Sequence, residues 1–310
     1  MASINPPESY AALNFKQIRI SHVPASSPTP TPVVLITLYR PNKHNAFTDT
    51  MASELVLAFD TLSHDPRVRA IVVTGHGHIF CAGADLESPE GLSSNRESED
   101  GSSHRDGGGT VALAIHRCTK PVIGAINGSA VGVGITMTLP MNIRIVSDKA
   151  KIGFVFARRG IVMEACSSFF LPRLIGYGKA MHLVTTGAVY NAKNRLVEDL
   201  FSEVVPADRV LPMALEIADD IAKNTSLVST HLMKDLMWRG PSTAEETHLL
   251  DSKVLWELFE GEDKKDGVQS FLEKRVPDFK GTMSTTPPKV WPWWKIVDVA
   301  APRDDIKSKL

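Results

Sequence analysis

Short apolar runs alternate with stretches of helical periodicity along much of the chain. Val33-Val34-Leu35-Ile36-Thr37-Leu38 is an almost unbroken aliphatic, β-branched run, the pattern of a buried strand. Over 51–62, Leu55, Ala58, Phe59 and Leu62 recur near helical spacing, and His64-Asp65-Pro66 supplies a stop, which predicts a helix. A second apolar run covers 68–74 and ends at Gly75. Strand, helix and strand of this length form a βαβ unit, which predicts a parallel sheet with helices on its faces. The pattern continues with a helix over 111–117, a third strand over 121–126 and a fourth at Arg144-Ile145-Val146. Beyond Pro206 it is helical, over 211–222, 230–237, 245–259 and 264–274.

Polar stretches divide the chain. Residues 1–31 hold Pro24, Ser26, Ser27, Pro28 and Pro30 and read as an N-terminal extension. Residues 88–109 are rich in Gly, Ser and charge, end in Gly107-Gly108-Gly109, and read as a mobile surface loop with too little apolar surface to order itself. The predicted organisation is an α/β core over 32–205, a helical region over 206–281 and a tail over 282–310 that carries Trp291-Pro292-Trp293-Trp294.

Charge and cysteine content narrow the picture. A formal net charge of −1 opposes a broad electrostatic footprint for nucleic acid or an anionic membrane. Cys81, Cys118 and Cys166 show neither CxxC spacing nor a disulfide framework, so a reducing compartment is expected. No apolar run reaches the roughly 18 residues of a membrane span. Residues 1–10 lack the basic and apolar regions of a secretory signal. The sequence ends in Ser308-Lys309-Leu310, a peroxisomal address read by a soluble import receptor, so peroxisomal localisation is expected.

Two small-residue segments carry the candidate chemistry. Phe80-Cys81-Ala82-Gly83-Ala84-Asp85-Leu86 follows the second strand's turn, and Asn127-Gly128-Ser129-Ala130-Val131-Gly132-Val133-Gly134 follows the third strand. Open α/β sheets place ligands at the carboxyl ends of strands. Two such turns side by side could aim two backbone N–H groups at one oxygen, forming an oxyanion hole. The glycines at 128, 132 and 134 lack the dinucleotide spacing GxGxxG, and tight strand-to-helix packing accounts for them equally well.

In order, these segments resemble the crotonase (enoyl-CoA hydratase/isomerase) family over about residues 33–280. Arg40-Pro41-Asn42-Lys43-His44-Asn45-Ala46 is similar to the family's RPxxxNA signature, and Gly176-Tyr177-Gly178-Lys179-Ala180, Val204-Val205-Pro206 and 271–275 follow in family order. The resemblance implies a ClpP/crotonase-like spiral of ββα units with a C-terminal helical region. It further implies a homotrimer or hexamer and an acyl-CoA substrate, with no cofactor or metal beyond the substrate's coenzyme A. The main-chain N–H groups of Ala84 and Val133 would form the oxyanion hole. Lys43, His44, Ala82, Asp85, Leu86 and Gly132 would contact coenzyme A or substrate, joined by Phe271 and Lys274 from a C-terminal helix. Hydratases of the family carry two water-handling glutamates, whose positions here hold Thr136 and Phe156. Phe156 instead counts among the substrate-binding positions.

One carboxylate remains, Glu164 in Gly160-Ile161-Val162-Met163-Glu164-Ala165-Cys166. This segment resembles that of peroxisomal Δ3,Δ2-enoyl-CoA isomerases, in which a glutamate is the base. A single carboxylate suffices to move a proton within an allyl system, and apolar neighbours Phe156, Ile161, Val162 and Met163 would raise its pKa. The resemblance therefore implies a double-bond shift in an enoyl-CoA, in fatty-acid oxidation or fungal secondary metabolism. Hydration of a 2-enoyl-CoA and a non-catalytic binding protein of the same fold are the alternatives.

Overall fold

A computed structural model describes residues 5–88 and 103–300. The strands are β1 (Ile18–His22), β2 (Val33–Leu38), β3 (Ala70–Gly75), β4 (Ile79–Cys81), β5 (Val122–Ile126), β6 (Ser129–Val131), β7 (Ile143–Ser147), β8 (Lys151–Gly153), β9 (Val189–Asn191) and β10 (Glu203–Val205). The helices are α1 (Asp49–His64), α2 (Gly107–Arg117), α3 (Val133–Thr136), α4 (Ser167–Thr186), α5 (Ala207–Asn224), α6 (Leu227–Arg239), α7 (Ala244–Leu258) and α8 (Glu262–Glu273).

The larger sheet has the order β1-β2-β3-β5-β7-β10 and the smaller β4-β6-β8-β9. Chain order explains both: β3-β4-α2, β5-β6-α3 and β7-β8-α4 each deliver one strand to each sheet and then a helix. The expected βαβ unit is β2-α1-β3, with Val33 opposite Ala70 in parallel register. All six residues of β3 and all five of β5 are buried, because each strand is covered on both faces. One face packs on α1, α2 and α4 around Phe59, Phe80 and Phe170. The other takes Val210, Ala214, Ala218 and Ala222 of α5, spaced four apart, a stripe whose small residues let the helix lie close to the sheet.

Two polar stretches contain more structure than composition predicts. Within 1–31, β1 pairs antiparallel with β2 as an edge strand. Its buried residues alternate, Ile18, Ile20 and His22, and Glu54 of α1 accepts the N–H groups of Lys16, Gln17 and Ile18. Within 88–109, residues 89–102 lie outside the described residues, while Gly107-Gly108-Gly109 is the first turn of α2 and not loop. Asp106 caps that turn by accepting from Gly109 N at 2.5 Å. This one hydrogen bond offsets part of what glycine costs a helix.

The tryptophan tail docks on α6. Trp291 Nε1 donates to Asp235 Oδ2 at 2.9 Å and Trp293 Nε1 to the Arg239 carbonyl at 3.1 Å. The Arg239 guanidinium lies 4.4 Å above the Trp294 ring. Ser308, Lys309 and Leu310 fall outside the described residues. No helix among the described residues is long and apolar enough to cross a membrane.

Candidate active site

β4 and β6 are adjacent parallel strands, so the segments that leave their carboxyl ends run side by side. Gly83, at φ +99°, lies so close that a Cβ there would stand 2.9 Å from the Val131 carbonyl oxygen. A Cβ on Gly134 would stand 2.4 Å from the Cys81 oxygen. The small residues therefore serve backbone-to-backbone contact.

This contact leaves two amides unused. Ala84 forms a parallel bridge with Phe47, in which Phe47 N donates to Gly83 O and Asp85 N to Phe47 O, each at 2.8 Å. That pattern turns the N–H of Ala84 away from Phe47. Val133 is the first residue of α3, where a helical N–H has no intrahelical acceptor. Neither N–H donates to any group among the described residues, and both residues line one cavity of about 720 Å³.

The signature at 40–46 holds this arrangement from behind. Arg40 donates to the Ala46 carbonyl at 2.5 Å and to Asp85 Oδ2 at 2.8 Å. Asn45 Nδ2 donates to the His76 and Ile79 carbonyls. Asp85 also accepts from Glu87 N and Ser88 N, and the Arg40 guanidinium holds its carboxyl below the usual range. The carboxylate of Asp85 is therefore an internal anchor.

Glu164 enters the same cavity from the segment before α4. Ala165 and Cys166, directly after it, both take left-handed backbone at φ 55° and 53°, a conformation that costs about 1–3 kcal/mol per non-glycine residue and concentrates at functional sites. A Cβ on Gly108 would lie 1.7 Å from Glu164 Oε2, and Val133 Cγ2 stands beside the same spot. Gly108 thus makes the room that the carboxyl occupies. Thr136 Oγ1 donates to Glu164 Oε1 at 2.5 Å. Burial pushes the Glu164 carboxyl up from its ordinary 4.5 to about 7; the Thr136 hydrogen bond opposes that, and the neighbouring Asp106 carboxylate adds to it.

The expected desolvating shell needs correction. Val162 is 83% exposed and does not line the cavity, whereas buried Phe156 and the partly exposed Ile161 do, with Val133 and Gly108 standing directly against the carboxyl. Of the other expected positions, Ala82, Leu86, Gly132 and Phe156 line the cavity with Glu164. Lys43 instead pairs with Glu87 at 2.8 Å, and His44 is an exposed left-handed residue whose carbonyl accepts from Ala82 N. Phe271 is 82% exposed and belongs to a second concavity among the C-terminal helices. Lys274 follows α8 as its left-handed cap. Neither reaches the Glu164 cavity within the chain. Asp106, Gly108 and the role of Thr136 escaped the sequence reading, although Asp before a helical run is a capping signal.

The chain is similar to known proteins over most of its length. Residues 29–282 match the family model described as enoyl-CoA hydratase/isomerase. Enoyl-CoA hydratase ACTT3 of Alternaria alternata is 49% identical over 276 residues, covering 89% of this chain and 90% of that protein. The probable enoyl-CoA hydratase of Bacillus subtilis is 32% identical, covering 80% and 95%. The crystal structure of a probable enoyl-CoA hydratase/isomerase from Mycobacterium abscessus superposes with a TM-score of 0.73 at 31% identity, covering 81% and 96%. With its paired sheets, its two unpaired amides and these relatives, the chain belongs to the enoyl-CoA hydratase/isomerase (crotonase) family and is an enzyme of that family.

Proposed function

We propose that this enzyme shifts the double bond of an enoyl-CoA, with Glu164 as the base. The carrying observation is one carboxyl, poised near neutrality, on the wall of the cavity that holds the two unpaired amides. The thioester oxygen accepts from Ala84 N–H and Val133 N–H. Glu164 removes the C2 proton of a 3-enoyl thioester, the dienolate rests on the amides, and the same carboxyl, whose proton exchanges with solvent, protonates C4 to give the 2-enoyl product. Each such donor lowers the barrier by about 3–4 kcal/mol in well-studied enzymes. A base whose pKa sits near the working pH combines availability with proton affinity.

A second reading is addition of water to a 2-enoyl-CoA. Asp106 favours it, because a second carboxyl beside Glu164 could share the handling of a water, and the relatives above are named hydratases. Incubating the purified protein with 3-enoyl-CoA and 2-enoyl-CoA thioesters of several lengths separates the two. The double-bond shift predicts that 3-enoyl is converted to 2-enoyl faster than 2-enoyl is converted to 3-hydroxyacyl-CoA. Glu164→Gln should lose that conversion by about 10²–10⁴-fold, and full activity in this variant would remove Glu164 from the mechanism.

The Ser308-Lys309-Leu310 ending supports placing this chemistry in the peroxisome. Exposed Trp256, Val268, Phe271 and Leu272 support a homo-oligomer built through the C-terminal helices. No cofactor beyond the substrate's coenzyme A enters the proposed reaction.

A further inference from the structure

We propose that Asp106 is a positioning residue for Glu164, holding the turn that carries the base and placing a second negative charge on its wall of the cavity. The inference rests on Glu164 being the base. Asp106 Oδ1 accepts from two amides: Gly109 N at 2.5 Å, which caps α2, and Ala165 N at 3.3 Å. Ala165 is the residue after Glu164 and the first of the two consecutive left-handed residues. One carboxylate oxygen therefore ties the start of α2 to the strained turn that aims the base. Gly108, in the chain between Asp106 and its α2 partner Gly109, is in turn the residue whose missing side chain admits the Glu164 carboxyl. Asp106, Gly108 and Glu164 all line the same cavity.

The charge surroundings follow from the packing. From α3, Glu164 meets the neutral Thr136 hydroxyl. From β4 it faces the Cys81 thiol, which burial pushes up to about 12, and from its own turn the Cys166 thiol, which burial also raises. Both stay neutral near pH 7. Asp106 is the charged group acting on Glu164 among the described residues. Its charge disfavours the ionised form of Glu164 and a hydrogen bond between the two carboxyls favours the protonated form, so Asp106 helps Glu164 keep a proton at a pH where an isolated glutamate has lost it.

The test compares pH profiles of kcat/KM for the wild type, Asp106→Asn, Asp106→Ala and Glu164→Gln on one enoyl-CoA. Asparagine caps a helix as well as aspartate and can still accept from Gly109 and Ala165, but it removes the charge. The acidic limb of the Asp106→Asn profile should move to lower pH by about one unit. Alanine loses both anchors, so kcat should fall by about 10–100-fold with KM little changed. The Asn variant keeps the proposal testable should the Ala variant fail to fold. With Glu164→Gln impaired, an Asp106→Asn profile superimposable on the wild type overturns the charge role of Asp106, and wild-type kcat in Asp106→Ala overturns its hold on the turn. A fully active Glu164→Gln removes the base and the inference with it.

Discussion

Glu164 shows how one side chain trades stability for reactivity. The unfolded chain releases this proton near 4.5 and the folded protein near 7. Between these values the native state binds more protons than the unfolded state, so stability falls as pH rises through the window and is level on either side. Glu164→Gln removes the cost of charging a buried carboxyl. It should therefore match the wild type in denaturant stability at pH 4 and exceed it at pH 8, by at most about 3 kcal/mol. Equal stability at both pH values would show that the carboxyl is solvated in the folded state. Glu164 was legible in the sequence as a carboxylate among apolar and small residues in family order. Thr136 was not, because reading it as a missing acid gave no hint that its hydroxyl donates to the acid that remains. Asp106 was hidden by the three glycines that follow it.

Among elements, α3 matters most for its size. Its four residues begin at Val133, with Gly132 at φ 56° turning the chain into them. The free N–H of Val133 is thus a property of a helix start, and proline is tolerated at that position because its missing N–H has no partner there. Val133→Pro deletes one oxyanion donor without touching an internal hydrogen bond. It should keep the circular dichroism spectrum while lowering kcat by about 10²–10³-fold; wild-type turnover would show that this amide does not meet the substrate. In the large sheet β2, β3 and β5 were readable because they are nearly unbroken apolar runs, and β7 as a shorter one around Arg144-Ile145-Val146. The small sheet was not, since β4, β6 and β8 have three residues each, too few to show a period. α4 was concealed by Pro172 and by Gly176, whose non-helical φ of 76° kinks it.

Over the whole molecule, distant segments converge on one cavity. The turn after β4, the start of α3, the cap of α2 and the segment before α4 lie far apart in the chain but meet because successive ββα units stack. The C-terminal tail joins this assembly. It is anchored by Trp291 on Asp235, and the Val299 carbonyl accepts from Arg105 Nε at 2.6 Å, one residue before Asp106. Composition revealed the tail's tryptophans but not their seat, because Asp235 and Arg239 become a docking site only once α6 is folded. The central claim, that this convergence lets Glu164 and two amides act together on an acyl thioester, is tested most directly by proton exchange. In deuterated water, NMR of a 3-enoyl-CoA with the purified enzyme should show deuterium entering C2 and C4 as the double bond moves, and Glu164→Gln should reduce both exchange and conversion by about 10² or more. Exchange at C2 proceeding at the wild-type rate in Glu164→Gln would contradict the account.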